Sequence, residues 1–199
     1  MTTMNIKKIA KFITIVLSII YSENCFAVSI TLDKNQTKEL TILFDAVVNN
    51  CEAGYFKQGE LSNDKLILCG ITASTGSKYA THANNNGLYQ VPSSYIDYIV
   101  MKYFGRTVVH KSVPGFPFNK GFYSMHGGDR GEPNILRFTK IESLGNKTYR
   151  VYVSYYETSD KKLFLKEKAI VQTVNYKGND HFVMLELQKE WAAKGYGKK

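Results

Sequence analysis

The chain has 199 residues, 44% of them hydrophobic, with 26 Lys and Arg against 17 Asp and Glu for a formal charge of +9. That length supports one domain with a real core, and two domains would each be unusually small. The basic balance favours anionic partners, whether acidic protein, lipid head groups, acidic envelope polymers or nucleic acid; a solvated basic surface without any of these is the plain alternative.

Lys7, Lys8 and Lys11 form a basic start, Phe12 to Tyr21 is an apolar run without a charge, and Cys25-Phe26-Ala27 ends on the small residue a signal peptidase needs. The expectation is a cleaved signal peptide over residues 1–27 and a bacterial protein that is periplasmic or secreted. The apolar run falls short of the roughly 20 residues a membrane-spanning helix needs, so no transmembrane segment is expected after cleavage. Lipidation at Cys25 is the competing reading, and the polar Ser22-Glu23-Asn24 before it speaks against it. Removing three lysines and one glutamate with the leader leaves 23 basic against 16 acidic residues in 28–199, taken as one exported domain. Cleavage also leaves the even pair Cys51 and Cys69, which an oxidising compartment would join as a disulfide bond that stabilises by roughly 3 kcal/mol. Two cysteines 18 apart with no histidine at ligand spacing do not make a zinc set. No metal and no cofactor is expected.

In the remaining chain, Asn35-Gln36-Thr37 offers capping side chains, after which Leu40, Leu43, Phe44, Val47, Val48 and Cys51 recur at helical spacing up to about Gly54. A second helix is expected from Ser62 to about Ser77 through Leu66, Cys69 and Ala73, with a short buried strand over Leu66 to Ile71 as its alternative. The polar tract Thr81 to Gly87 reads as a loop or lid. Pro92-Ser93-Ser94 opens a third helix through Ile96, Ile99, Val100, Tyr103 and Phe104, and Gly105 stops it. From Arg106 to Pro133, prolines and glycines predict exposed loop with strand pieces at Thr107 to His110 and Phe122 to Met125. Four strands follow, Ile135 to Ser143, Thr148 to Thr158, Leu163 to Tyr176 and His181 to Lys189, divided by turn signals. In the second of them Tyr149, Val151, Val153 and Tyr155 share one face and Arg150, Tyr152, Ser154 and Tyr156 the other. Trp191 is expected to dock on the core, with a flexible basic tail after Gly195.

The predicted class is α+β, with N-terminal helices packed on a C-terminal four-stranded antiparallel meander sheet. This element order, together with the segment from Val91-Pro92-Ser93 to Tyr103-Phe104-Gly105, resembles bacterial exported domains of the cystatin or NTF2-like kind over about residues 38 to 190. The resemblance implies a cone-like half-barrel, a shape used for binding and inhibition as readily as for catalysis.

Chemistry-bearing residues are few. His82, His110, His126 and His181 show no short ligand spacing, and neither a Gly-x-Ser-x-Gly elbow nor a Walker glycine loop occurs. One local constellation, Met125 to Glu132, brings His126, Asp129 and Arg130 together on a glycine-rich loop and is the candidate ligand-binding site; no catalytic residue is assigned. Tyrosines interleaved with lysines between Lys147 and Lys168 suit stacking and phosphate contact, but they also suit an ordinary strand, and export argues against nucleic acid as partner. The expected function is an exported non-enzymatic binding protein, for instance an inhibitor or immunity factor. It would act on a cell-envelope enzyme or toxin through its sheet face or its Pro-Gly loops, and its partner would be a protein or an anionic envelope component. The alternative is an exported enzyme of unrecognised class acting on an envelope polymer.

Overall fold

The computed structural model describes residues 27–49, 55–74, 88–126 and 134–194. Strand β1 (Val28–Ser29) leads to helix α1 (Lys34–Phe44), which runs on into a π-helical turn over Asp45–Asn49. Helix α2 (Asn63–Ser74), strand β2 (Leu88–Pro92) and helix α3 (Ser93–Phe104) follow. Strands β3 (Phe118–Asn119), β4 (Phe122–His126), β5 (Ile135–Gly145), β6 (Thr148–Tyr156), β7 (Leu163–Tyr176) and β8 (Asn179–Ala192) complete the chain. The expected leader up to Phe26, the tract Thr81 to Gly87, and the tail from Gly195 lie outside the described residues.

The cap of α1 is Asp33, two residues before the expected capping triplet. Its Oδ1 accepts the Gln36 N–H at 2.8 Å while the Gln36 side chain accepts the Asp33 N–H at 3.1 Å, a reciprocal box that satisfies two otherwise orphaned donors. Helix α2 settles the choice over Leu66 to Ile71 in favour of a helix. Its Gly70 permits close approach to α3, because a Cβ there would stand 2.5 Å from Ile96 Cγ2. Helix α3 ends as its sequence predicts, with Gly105 left-handed at φ 61 and its N–H donated to the Met101 carbonyl. Thr107 to His110 is not a strand. Its backbone is met instead by a side chain: Asn63 Nδ2 donates to the Val109 carbonyl at 2.8 Å and Asn63 Oδ1 accepts the Val109 N–H at 2.7 Å.

The fold is α+β with antiparallel sheets, but it holds two sheets in place of the single four-stranded meander expected. The larger has the order β1-β5-β6-β7-β8, so the meander gains a fifth strand where Ser29 pairs with Glu142 outside β5. The smaller has the order β2-β4-β3 and is drawn from the proline and glycine region and from the residues just before α3. Non-local pairing decides both additions, and strands as short as β1 and β3 leave no periodicity to read.

The large sheet has an inner and an outer face. Val151, Val153 and Tyr155 of β6 point inward and are buried, and α1 packs there with Phe44 edge-on to Phe138 of β5 at 5.5 Å. Arg150, Tyr152 and Tyr156 point outward and are partly exposed. Trp191 does not close the core: it is 44% exposed and stands opposite Lys166 on the outer face.

Of the expected disulfide pair, Cys51 lies outside the described residues, and among those residues no two sulfurs lie at bonding distance. Cys69, buried on the core side of α2, is disulfide-bonded. Among the described residues no helix is long and apolar enough to cross a membrane.

Candidate functional site

The antiparallel register sets the outer-face side chains in rows that cross four strands. One row is Arg137, Ser154, Lys166 and Trp191, the next is Lys140, Tyr152, Lys168 and Gln188, and the third is Glu142, Arg150, Ile170 and Glu186. Neighbours within a row are separated by the strand spacing of about 4.8 Å, so the cations on β5 and β7 stand about 10 Å apart with a tyrosine or serine between them. Arg137 lies over the Tyr156 ring at 5.0 Å and Lys140 over the Tyr152 ring at 5.8 Å. These contacts hold long cationic side chains against the sheet and reduce the entropy they lose on meeting an anion.

Glu142 neutralises part of this charge. Its carboxylate accepts from Lys140 Nζ, from Arg150 at 3.2 Å and from the Tyr152 hydroxyl at 3.4 Å. The Lys140 hydrogen bond, ahead of the opposing cost of burial, holds the Glu142 carboxyl below its ordinary range, and Glu142 in turn holds the Lys140 ammonium above its own. Arg137, Lys166 and Lys168 make no ion pair among the described residues, so the row that ends on Trp191 and the row beside it keep a net positive field.

A second acid lies on the inner face. Glu167 of β7 is 2% exposed, opposite Val153 of β6 and Lys189 of β8. Burial pushes its carboxyl up to about 7, against the neighbouring Tyr155 and Tyr55 hydroxyls, which favour the charged form. Its Oε2 has no hydrogen-bond partner among the described residues. The Lys189 ammonium sits over the Tyr55 ring, 5.6 Å from the centroid.

A third group joins α3 to the small sheet. His110 Nε2 is 3.1 Å from Asp97 Oδ1 and its Nδ1 is 3.0 Å from the Tyr123 hydroxyl, with Phe118 stacked on the imidazole at 5.4 Å. A backbone hydrogen bond from Lys111 also reaches the Tyr123 hydroxyl. With that N–H occupying the phenol oxygen, the arrangement calls for the phenol to donate to Nδ1 and for Nε2–H to donate to Asp97. The order acid, imidazole, hydroxyl is that of a nucleophilic relay, but Tyr123 is fully buried. Its effect is to pin the Arg106 to Ser112 segment against β4.

Of the site residues expected from sequence, His126 ends β4, exposed and opposite Leu88. Asp129 and Arg130 lie outside the described residues, as does His82. His181 is half-buried in β8 with the Tyr176 ring edge-on at 6.1 Å. Among the described residues no group of histidine, cysteine and carboxylate side chains is able to hold a metal ion. Sequence reasoning passes over Glu167, although the alternation Leu165, Glu167, Ala169, Val171 marks one acid on an apolar face. It also misses the Asp97, His110, Tyr123 group, whose successive members are 13 residues apart and carry no local signal.

Comparison of the chain with protein-family models, with curated proteins and with solved structures found no match in any of the three.

Proposed function

We propose that this chain is an exported, non-enzymatic binding protein that captures an acidic protein partner on the outer face of its five-stranded sheet. The observation that carries the reading is the pair of rows Arg137, Ser154, Lys166, Trp191 and Lys140, Tyr152, Lys168, Gln188. They combine unpaired cations, aromatic surface and a half-exposed tryptophan on a rigid antiparallel scaffold. Fixed cations speed the encounter with an acidic surface, and a partly exposed tryptophan beside them supplies the apolar anchor that such interfaces centre on. The basic excess of the whole chain acts in the same direction. An inhibitor or immunity factor for an envelope enzyme or toxin is the form of binding protein that fits an exported basic domain. The likeness in element order to cystatin and NTF2-like domains belongs to the same proposal. Export itself rests on the leader from Lys7 to Ala27, and amino-terminal sequencing of the fractionated protein, expected to begin at Val28, checks it.

The binding test uses purified protein as bait in a periplasmic extract, with the captured partner then purified and titrated back. Wild type is expected to hold one stoichiometric partner, with affinity that falls as salt is raised. Arg137→Glu with Lys166→Glu, both changes at solvent-facing positions, is expected to weaken it at least a hundredfold while the circular dichroism spectrum stays unchanged. Equal affinity of the double variant removes the docking face. The enzyme reading keeps one specific support, Glu167, an acid held near neutrality as a proton donor requires. Turnover of a labelled envelope polymer by wild type, lost in Glu167→Gln, would establish it in place of the binding reading.

A further inference from the structure

Glu167 has no part in the docking face, and its surroundings differ from those of every other acid in the described chain. The segment 55–60 crosses the open edge of β8 and touches the sheet at few points. Phe56 exchanges both backbone hydrogen bonds with Leu187, each 2.9 Å, as an isolated bridge, and its ring lies 6.2 Å from that of Phe104 on α3. Tyr55 reaches the Glu167 carboxyl with its hydroxyl, and Lys189 covers its ring. At the far end the segment is tied down: Leu61 is buried, and its carbonyl accepts Arg106 at 2.7 Å. Between these points Lys57 to Glu60 is exposed and makes its own turn, Glu60 accepting the Lys57 N–H at 3.0 Å.

We infer that the segment 55–60 is a strap latched to the inner edge of the sheet through Glu167, and that the latch holds only while this buried carboxyl carries its proton. In the neutral form the carboxyl group lies beside the two phenols inside an apolar wall, and no charge is buried. Once ionised, the carboxylate is favoured by the Tyr55 and Tyr155 hydroxyls, but it must remain in a site that water does not enter. Burial outweighs the two phenols there. Lifting Tyr55 hydrates the carboxylate and removes that cost, at the expense of the Phe56 bridge.

Among the described residues, the groups facing Glu167 leave no other source of compensation. Strand β6 presents Tyr155 and Val153, and β8 presents Lys189, whose ammonium is committed to the Tyr55 ring. The strap adds Tyr55, while Lys57 and Glu60 are exposed to solvent and the Glu60 carboxylate accepts the Lys57 backbone N–H. The buried positions of α1 are apolar, and α3 adds Tyr103, whose phenol burial pushes up to about 12 and which therefore stays neutral. Among the described residues no ion pair includes Glu167.

Amide hydrogen exchange read by NMR at Phe56 and Leu187, corrected for the intrinsic pH dependence, tests the strap between pH 5.5 and 8.5. Wild type is expected to lose protection at these two amides by on the order of tenfold, while Val151 and Ala169 in the sheet interior stay level. Glu167→Gln, neutral at every pH and nearly isosteric, is expected to hold protection constant. Flat protection in wild type, a step of equal size at Val151 and Ala169, or a step that persists in Glu167→Gln overturns the inference. Should that variant fail to fold, the wild-type carboxyl carbon of Glu167 gives the answer. Its titration midpoint must coincide with the midpoint of protection loss, and a separation of more than one pH unit refutes the latch.

Discussion

Two glutamates are buried in the same sheet, one on each face, and their carboxyls are driven in opposite directions. Glu142, 6% exposed on the outer face, is surrounded by Lys140, Arg150 and Tyr152 and is held in its charged form. Glu167, 2% exposed on the inner face, meets two phenols and an apolar wall, and burial pushes it up to about 7. Both side chains are largely removed from solvent, but Glu167 is set deeper in the protein than Glu142. They differ too in whether opposite charge has been placed beside the acid, and that follows from the strand alternation that puts lysine and arginine on one face and valine and leucine on the other. The outer face is organised to carry charge, and the inner face to exclude it.

The largest effects should come from apolar losses on the inner face. Phe44→Ala removes a fully buried ring that meets Phe138 edge-on, and is expected to destabilise by about 3–5 kcal/mol in urea unfolding. Tyr152→Ala, the comparable aromatic loss on the outer face, is expected to cost less than half as much, since its site opens to water. Equal losses would mean that the outer face is covered and would break the contrast. Gly70→Ala probes the helix layer over the inner face. The new methyl would meet Ile96 Cγ2 at 2.5 Å, and the forced separation of α2 from α3 is expected to cost about 1–3 kcal/mol.

Glu167→Gln comes next in size. The folded-state value of about 7 is raised above the ordinary 4.5, so the neutral acid favours the folded state fully below pH 4.5, and that advantage is lost as pH rises through 7. Wild type should therefore be less stable at pH 8 than at pH 5 by about 2–3 kcal/mol, unless lifting the strap limits the loss. Glu167→Gln should show no such fall and should be the more stable protein at pH 8. Chemical unfolding at the two pH values measures both quantities. A wild-type loss as small as that of the variant would mean that water already reaches the acid.

Much of this contrast is legible in the residues themselves. The alternation in Thr148 to Tyr156 assigns its two faces, and Pro92, Ser93 and Gly105 bound α3 because each acts through its own backbone geometry. The four meander strands lie within a few residues of their expected limits for the same local reason. Long-range partnership is not legible. Nothing in Val28-Ser29 announces Ser143 and Glu142, and nothing in Leu88 to Pro92 announces β4. The Thr107 to His110 segment reads like a strand because its backbone does take a partner, supplied by the Asn63 side chain. At the candidate site, Glu167 is visible as one acid in an apolar alternation, whereas the unpaired state of Lys166 and Lys168 depends on which cations Glu142 captures across the register.

The smallest expected effect tests the outer acid. Glu142 is held below its ordinary 4.5, so its ion pairs stabilise the fold at neutral pH, and that contribution is lost as pH falls through the depressed value. Glu142→Gln should make the acid limb of the stability profile shallower, opposite in sign to the change Glu167→Gln makes on the alkaline side. At pH 7 it also frees Lys140 and Arg150, adding two unpaired cations to the rows beside Trp191. A small loss of stability should thus accompany tighter binding of an acidic partner, a combination that simple weakening of the sheet does not produce. Titrating the purified partner against wild type and Glu142→Gln at low salt reads the second half of that pair. Unchanged or weaker binding would show that Glu142 positions the cations more than it masks them.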